Sequence, residues 1–181
     1  MPRSYTRTGD KGETGRIGPQ RRKKSDQLYE VVGTLDEFIA WIGFAASCTN
    51  EQRVIRILHD IQQFLFCAGA DVATPLDQAC RRRIREDDTK KLEKIIEDFE
   101  KDLADLRNFI LPAGTQAVTA LHVARAVARR AERATVKFGE SEELNRSMVP
   151  FLNRLSSLLF VMARWLHHKE RGKEEHPTYN P

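Results

Sequence analysis

The first residues with the chemistry of a binding site lie near the N-terminus, at residues 6–12, with the sequence TRTGDKG. This segment combines two glycines, two hydroxyls and two cations ahead of any helical pattern. Backbone N–H groups in such a loop can face an anion while Lys11 adds a positive charge, which is how many proteins bind phosphate. The sequence matches neither a Walker A loop nor a GxGxxG fingerprint. An ordinary polar turn is therefore the alternative interpretation.

A second charged group falls on one face of a predicted helix. At 100° per residue, Arg125, Arg129 and Glu132 lie within about 60° of one another, whereas Arg130 points elsewhere. Such a face could bind an anion, and the alternative is an Arg/Glu surface pair worth a few tenths of a kcal/mol. His122 adjoins the face, but no second histidine at ligand spacing accompanies it. A packed histidine is thus favoured over a metal ligand.

Polar residues also interrupt apolar patterns at two places. Asn153 lies within the most apolar helical segment, and a buried amide without a partner costs about 1–3 kcal/mol. The sequence therefore predicts a polar partner from another helix or from a ligand. Asp36 and Glu37 interrupt the apolar stripe of the first helix, where Asp36 could pair with an arginine, within the chain or across an interface.

Five segments with apolar residues at helical spacing must position these groups. They cover residues of about 26–48, 50–70, 87–103, 116–137 and 149–171. The third is predicted to be capped by residues 87–89 and to lie at the outside, and Pro112 and Gly114 break the chain before the fourth. Because no strand alternation is found, the sequence predicts an all-α five-helix bundle. It forms one domain over residues 1–181 and ends in a flexible tail at residues 172–181.

Composition and charge narrow the class of protein. The chain of 181 residues is 40% hydrophobic, and no apolar run approaches the roughly 20 residues of a membrane span, so disorder and a membrane location are both disfavoured. The three cysteines form no CxxC pair, and no signal peptide is seen, so we expect a cytoplasmic protein. Residues 1–24 hold eight basic and two acidic residues, a local charge of +6 against +4 for the chain. Such an arm usually meets an anion, although a solvated arm is the alternative.

Five blocks of sequence, in a fixed order over about 150 residues, resemble one family. They are YTRTGDKG at 5–12, VGTLDE with IG at 32–43, FILPAG at 109–114, ALH with Arg125 and RRAER at 120–133, and FLNRLS at 151–156. Together they resemble the PduO-type ATP:cob(I)alamin adenosyltransferases. The resemblance implies transfer of the 5′-deoxyadenosyl group of ATP to a reduced cobalt(I) corrinoid, giving adenosylcobalamin and triphosphate. It also implies a homotrimer with active sites between subunits.

The resemblance further implies which residues hold ATP and its Mg²⁺. The ATP-binding set is Thr6, Arg7, Thr8, Gly9, Lys11, Thr14, Lys24, Arg129, Arg130, Glu132, Arg133 and Asn153. The Mg²⁺ is carried by ATP, near Glu132, and no protein metal site is expected. Two residues depart from the family pattern: Arg7 replaces a common lysine, and Ser157 stands where an aspartate is usual.

The implied catalytic residues are Phe109, Arg129, Asp36 and Arg125. Phe109 would help to remove the lower axial ligand of the corrinoid, because an aromatic ring offers cobalt no donor atom. Asp36 would pair with Arg125 across the subunit boundary. An electron-donating flavoprotein or other reductase, and an adenosylcobalamin-dependent enzyme, are the implied protein partners.

Two rival functions follow from the same residues. A helical nucleic-acid-binding protein could use residues 1–24 with the arginines at 81–83, but the arm has few aromatic residues for stacking and the fourth helix mixes Glu with Arg. A corrinoid scaffold without turnover is the second rival, and Lys11, Arg129 and Asn153 argue against it. We therefore expect neither a nucleic acid nor a membrane as partner.

Overall fold

Helices make up nearly all of the regular structure. The computed structural model describes residues 5, 7–15 and 21–179. Within these ranges the elements are β1 (Glu13–Gly15), β2 (Arg21–Lys23), α1 (Gln27–Ser47), α2 (Gln52–Ala73), α3 (Glu86–Glu100), α4 (Gln116–Phe138) and α5 (Met148–Lys169). The five predicted helices are confirmed. The all-α prediction missed the antiparallel hairpin of β1 and β2, because strands of three residues are too short to show alternation.

Short polar caps set where the helices begin. Asp26 accepts a hydrogen bond from the Leu28 N–H (2.9 Å) and starts α1, and Thr115 accepts one from the Val118 N–H (3.5 Å) and starts α4. The predicted cap of α3 at residues 87–89 is confirmed in part, because Asp88 belongs to the capping box but the helix starts before it. The helix begins at Glu86, and the Asp88 carboxylate accepts from the Arg85 N–H (3.0 Å) from within the first turn.

The core forms where α4 packs against both α1 and α5, while α2 packs on α1 and α3 on α5. α5 is buried along most of its length, with bulky side chains from Phe151 to Leu166. α4 buries mainly small residues on its inner face: Ala117, Ala120, Ala124, Ala128, Ala131 and Ala134. In the described part of the chain, no helix has both the length and the apolar character of a membrane span.

A buried carboxylate joins three segments at one end of the bundle. Asp71, at the end of α2, is 2% exposed and accepts hydrogen bonds from Arg83 (2.6 Å), the Ile84 N–H (2.8 Å) and the Asn145 amide (2.6 Å). These partners belong to the α2–α3 linker and the α4–α5 loop. Arg82 in turn pairs with Asp88, which is also buried (2.8 Å). Two of the three clustered arginines thus hold the fold together.

We predict that Asp71→Asn destabilises the protein by about 3 kcal/mol, because it leaves the Arg83 charge unpaired in a buried setting. Chemical denaturation of both proteins measures the change. Asp77→Asn is the matched control, since Asp77 is exposed in the same linker, and its effect should stay within about 0.5 kcal/mol. Equal losses from the two substitutions would contradict the role assigned to Asp71.

Candidate functional site

The N-terminal loop folds back onto the β-hairpin, which brings Gly9 next to Lys24. Gly12 has a positive φ of 82°, and its carbonyl accepts a hydrogen bond from the Lys24 N–H (2.8 Å). A Cβ atom on Gly9 would lie 3.2 Å from the Lys24 Nζ, so any larger residue would push that ammonium group aside. Two of the predicted ATP-binding residues therefore lie in contact. Thr6, which belongs to the same prediction, lies outside the described residues.

The hairpin is tied to the helical bundle at both of its strands. The Tyr29 hydroxyl of α1 donates to the Thr14 carbonyl (3.2 Å). Arg22 donates to Asp26 (3.3 Å) and to Glu142 in the α4–α5 loop (2.6 Å), and its hydrogen bond to Glu142 raises the pKa of Arg22. The cationic loop thus has a fixed place beside the bundle, although its residues follow no helical pattern.

The charged face of α4 meets α5 through a pair of polar side chains. The Asn153 amide donates to the half-buried Glu132 carboxylate (2.9 Å), and Arg154 donates to the Asn153 side-chain carbonyl (2.7 Å). Asn153 therefore has a polar partner on another helix, as its position required. Ser157 donates to the Asn153 backbone carbonyl (3.4 Å) and makes no ion pair of the kind an aspartate could make.

Exposed arginines surround this polar pair. Arg129 and Arg133 are exposed on α4, on either side of Glu132 in the sequence. Arg130 instead forms an ion pair with Glu37 of α1, and the hydrogen bond from Arg130 lowers the pKa of Glu37 below its usual range. Among the described residues, Arg129 and Arg133 therefore form no ion pair, whereas the Arg130 guanidinium is paired with a carboxylate.

Asp36 and Arg125 are not paired with each other in the described part of this single chain. Arg125 is half-buried, its Nε has no hydrogen-bond partner, and burial lowers its pKa, with a further contribution from the charge of Arg129. Asp36 is exposed and lines an apolar groove of about 440 Å³ between α1 and α2. The expectation that Asp36 and Glu37 interrupt the buried stripe is wrong, because that stripe runs through Leu35 and Phe38 and leaves both carboxylates outside.

Phe109 stands out among the exposed apolar residues, with 77% of its surface accessible. It lies in the segment between α3 and α4 and lines an open cleft of about 590 Å³ that it shares with Leu106, His176 and Tyr179. An aromatic ring left in solvent beside other apolar groups is typical of a binding surface. The cleft combines apolar and aromatic groups with Arg107 and Asn108, whereas the loop and α4 are mainly cationic, so the chain offers two chemically different surfaces.

Sequence reasoning missed the contribution of the C-terminal segment to this cleft. The Leu111 N–H donates to the Glu175 carbonyl (2.8 Å), and His176 Nδ1 is hydrogen-bonded to the Phe109 carbonyl (2.9 Å). Residues 172–181 were predicted to be a flexible tail, and their flexibility stays a prediction. A polar segment without periodicity does not predict such docking from the sequence. Only the residue types of His176 and Tyr179 could have suggested a contact.

His122 is buried behind the same region. It is 6% exposed, its ring meets Phe160 edge-on with centroids 6.3 Å apart, and its Nδ1 has no partner. Burial, with smaller contributions from the charges of Arg125 and His167, lowers the pKa of His122 to about 4. The prediction of a packed histidine is confirmed. Among the residues that the structure describes, no group of three His, Cys, Asp or Glu could hold a metal ion.

Comparison with known proteins gives one consistent family. Residues 4–166 match the family model of the cobalamin adenosyltransferases. The corrinoid adenosyltransferase MMAB of Mus musculus is 38% identical over 182 residues, which cover 97% of this chain and 77% of the mouse protein. The corrinoid adenosyltransferase of Citrobacter freundii is 37% identical, over 91% of this chain and 94% of that protein.

Solved structures agree with the sequence comparison. A phenylalanine-to-alanine variant of the PduO-type ATP:corrinoid adenosyltransferase of Lactobacillus reuteri, complexed with cobalamin and ATP, superposes with a TM-score of 0.91 at 36% identity, covering 97% of this chain and 99% of that one. An arginine-to-lysine variant of the same enzyme, complexed with ATP, gives a TM-score of 0.91 at 37% identity, covering 97% and 100% of the two chains.

The low pKa of His122 predicts a pH dependence of stability. Between about pH 6.5 and pH 4 the unfolded chain takes up a proton that the folded chain refuses, so the free energy of unfolding falls as the pH falls through this window. Replacing His122 by Leu should remove that part of the decline, as measured by urea unfolding at pH 7.5 and pH 5. The exposed His59 gives the control His59→Leu, which should keep the wild-type decline. Parallel curves for wild type and the His122 variant would refute the prediction.

Proposed function

The chain belongs to the cobalamin adenosyltransferase family, and we propose that its N-terminal loop and α4 bind the triphosphate of ATP while the Phe109 cleft receives the corrinoid. The reaction is transfer of the 5′-deoxyadenosyl group of ATP to a reduced cobalt(I) corrinoid. The single observation that carries the assignment of the site is the face of α4, where the exposed Arg129 and Arg133 flank the hydrogen-bonded pair of Glu132 and Asn153.

The chemistry explains why positive charge is the protein's main contribution. The cobalt(I) electron pair attacks the 5′ carbon of ATP, so that a cobalt–carbon bond forms as the bond from that carbon to the triphosphate oxygen breaks. The electrons of the broken bond leave on triphosphate. Because the nucleophile is the substrate's own metal, no side chain has to act as nucleophile or base. The protein must orient the two substrates and stabilise the charge that develops on the leaving group.

In this proposal, the triphosphate lies between the N-terminal loop and α4. The loop residues are Thr6, Arg7, Thr8, Gly9, Lys11, Thr14 and Lys24, and the helical residues are Arg129, Arg130, Arg133 and Asn153. The contact between Gly9 and Lys24 supports a role of the loop in binding phosphate, because it places the Lys24 ammonium group next to the backbone of Gly9, which has no side chain. Arg130 contributes least, because Glu37 already neutralises its charge.

Glu132 is the carboxylate on this face of α4, and it is assigned the approach to Mg²⁺. Magnesium keeps several waters and is commonly held by one or two carboxylates together with substrate phosphates. A single half-buried carboxylate, oriented by the Asn153 amide at 2.9 Å, fits an ion that arrives with ATP. Mg²⁺ would neutralise part of the negative charge of the triphosphate. Glu132 would hold the ion on the side of the triphosphate that faces α4.

Phe109 is assigned to the lower face of the corrinoid. Its exposed ring and the surrounding cleft could occupy the axial space, and a hydrocarbon ring gives cobalt no replacement ligand. Loss of the lower ligand yields a four-coordinate cobalt(II) that is easier to reduce to cobalt(I). The arrangement supports a role in preparing the nucleophile, before any adenosyl transfer takes place.

A homotrimer would complete the site. Arg125 is half-buried with an unpartnered Nε, and Asp36 is an exposed carboxylate beside an apolar groove where Phe66 is 63% exposed. A neighbouring subunit could cover that groove and bring Asp36 to Arg125. The pairing would satisfy both groups, which within the described part of one chain do not meet.

The setting of the enzyme is proposed from the same chemistry. The single domain would work in the cytoplasm, where the three free cysteines stay reduced. A reductase, such as a flavoprotein, would supply the electron for cobalt(I), and an adenosylcobalamin-dependent enzyme would receive the product. The nucleic-acid alternative loses support because Arg82 and Arg83 pair with the buried carboxylates of Asp88 and Asp71.

Arg129→Ala tests the proposed function most directly within the site. Removing this charge should lower kcat/KM for adenosylcobalamin formation by about 100-fold, the usual effect of losing one group that stabilises developing negative charge. The assay follows the visible spectrum under anaerobic conditions, with chemically reduced cobalamin, Mg²⁺ and ATP. Arg146→Ala is the control, since Arg146 is exposed in the α4–α5 loop. Near-normal kcat/KM for the Arg129 variant would refute its role.

Asp36→Asn tests the trimer. Loss of the carboxylate should leave Arg125 unpaired at the subunit boundary and shift the protein toward smaller species at micromolar concentrations. Sedimentation velocity measures the distribution, and Asp77→Asn, an exposed carboxylate in the α2–α3 linker, provides the control. A distribution and kinetics identical to wild type would show that Asp36 does not serve the interface.

A further inference from the structure

The segment that follows α5 runs back along the chain and contacts it at Phe109 and Leu111. Residues 173–176 of this segment form a strap. The strap carbonyl of Glu175 accepts from the Leu111 N–H (2.8 Å), and the His176 ring nitrogen Nδ1 lies 2.9 Å from the Phe109 carbonyl. Because a carbonyl can only accept, His176 must carry its proton on Nδ1 to make this bond. Both bonds fix backbone atoms within two residues of the Phe109 side chain.

The strap is anchored to the bundle by an ion pair with a buried arginine. Arg164 of α5 is 8% exposed and donates to the Glu174 carboxylate (2.7 Å) and to the Ala104 carbonyl (3.0 Å). One guanidinium therefore joins α5, the strap and the segment that carries Phe109. A buried guanidinium without its carboxylate is costly, so the pair favours the docked position of the strap.

Within the described part of the chain, the side chain of Phe109 is held by little packing. Its side chain is 77% exposed, and the residues that share its cleft include His176, Pro177 and Tyr179 from the C-terminal segment. The place of the ring therefore depends on how its backbone is held. At the C-terminal end of the Phe109 segment, Gly114 has a φ of 127°. His167 packs so closely there that an added Cβ atom would lie 2.7 Å from its Nδ1.

From these contacts we propose that Glu174 and His176 are positioning residues that hold Phe109 in the place where it excludes the lower axial ligand of the corrinoid. This inference rests on the proposed function, because it assigns the strap to the corrinoid side of that site. Neither residue touches the reacting atoms. Glu174 fixes the strap to α5 through Arg164, and His176 holds the Phe109 backbone against the strap through its hydrogen bond.

A positioning role and a purely structural role of the strap affect different measurements. A strap that only stabilised the fold would change the unfolding midpoint and leave the cobalt of bound substrate unaltered. A strap that positions Phe109 changes the fraction of four-coordinate cobalt(II) formed in the presence of ATP. It leaves ATP affinity unchanged, because none of these residues belongs to the ATP-binding set.

The test measures four-coordinate cobalt(II) by electron paramagnetic resonance on the full-length enzyme with cob(II)alamin, Mg²⁺ and ATP. His176→Ala should lower the four-coordinate fraction by about threefold, as expected for the loss of one exposed hydrogen bond. His176→Asn keeps a donor near the position of Nδ1 and should restore most of the fraction. Phe109→Ala, the reference for complete loss, should bind ATP normally and show little four-coordinate cobalt.

Glu174→Ala tests the anchor, and Glu140→Ala is its control because Glu140 is exposed in the α4–α5 loop. The Glu174 variant should lower the four-coordinate fraction and also speed hydrogen exchange at the Leu111 amide, whereas the control should change neither. With cobalamin already reduced to cobalt(I), the Glu174 variant should keep turnover within about threefold of wild type, because the step that needs Phe109 is bypassed.

The outcomes separate this inference from the proposed function. If the wild-type enzyme forms no adenosylcobalamin from cobalt(I), the proposed function fails and the inference fails with it. If wild type is active and the strap variants show the wild-type four-coordinate fraction, the inference alone is overturned. A reduced fraction that His176→Asn does not restore would also overturn it, because the donor at Nδ1 would then not be what positions Phe109.

Discussion

The close packing of α4 between α1 and α5 is the constraint on which the rest of the molecule depends. Its inner face consists mainly of alanines, which let neighbouring helices approach closely. The long charged side chains of α4 therefore lie on the remaining faces. Arg125, Arg129 and Arg133 are placed there for this reason, and the positive surface follows from how the helix packs.

A face of arginines would repel itself unless carboxylates were set within it. Glu132 takes that position, and its orientation depends on Asn153 from α5. Arg130 is neutralised separately by Glu37 of α1, so the charge left for a ligand lies at Arg129 and Arg133. The same neighbours that pack α4 thus decide which of its charges remain free. The Phe109 segment leads directly into this helix, and in that way the apolar cleft and the cationic face share one scaffold.

Periodicity predicted the five helices because each carries an apolar stripe long enough to register, and the polar partner of Asn153 could be anticipated from the cost of burying an amide. Other features left no such trace. The three-residue strands are too short for alternation. The start of α3 depends on a hydrogen bond from the Arg85 N–H to Asp88, and the docking of residues 173–176 depends on contacts with distant segments. The sequence does not distinguish a carboxylate beside a buried stripe from one within it, because both are next to apolar residues along the chain. The predicted place of Asp36 within the stripe is wrong for this reason.

The reaction of this family moves an intact adenosyl group to cobalt and releases the whole triphosphate. The most direct test uses ATP labelled with ¹³C at the 5′ carbon, reduced cobalamin and Mg²⁺ under anaerobic conditions, with carbon and phosphorus magnetic resonance of the products. The account predicts that the label becomes bonded to cobalt and that one triphosphate appears for each adenosyl group. Release of ADP or pyrophosphate without a labelled cobalt–carbon bond would contradict it.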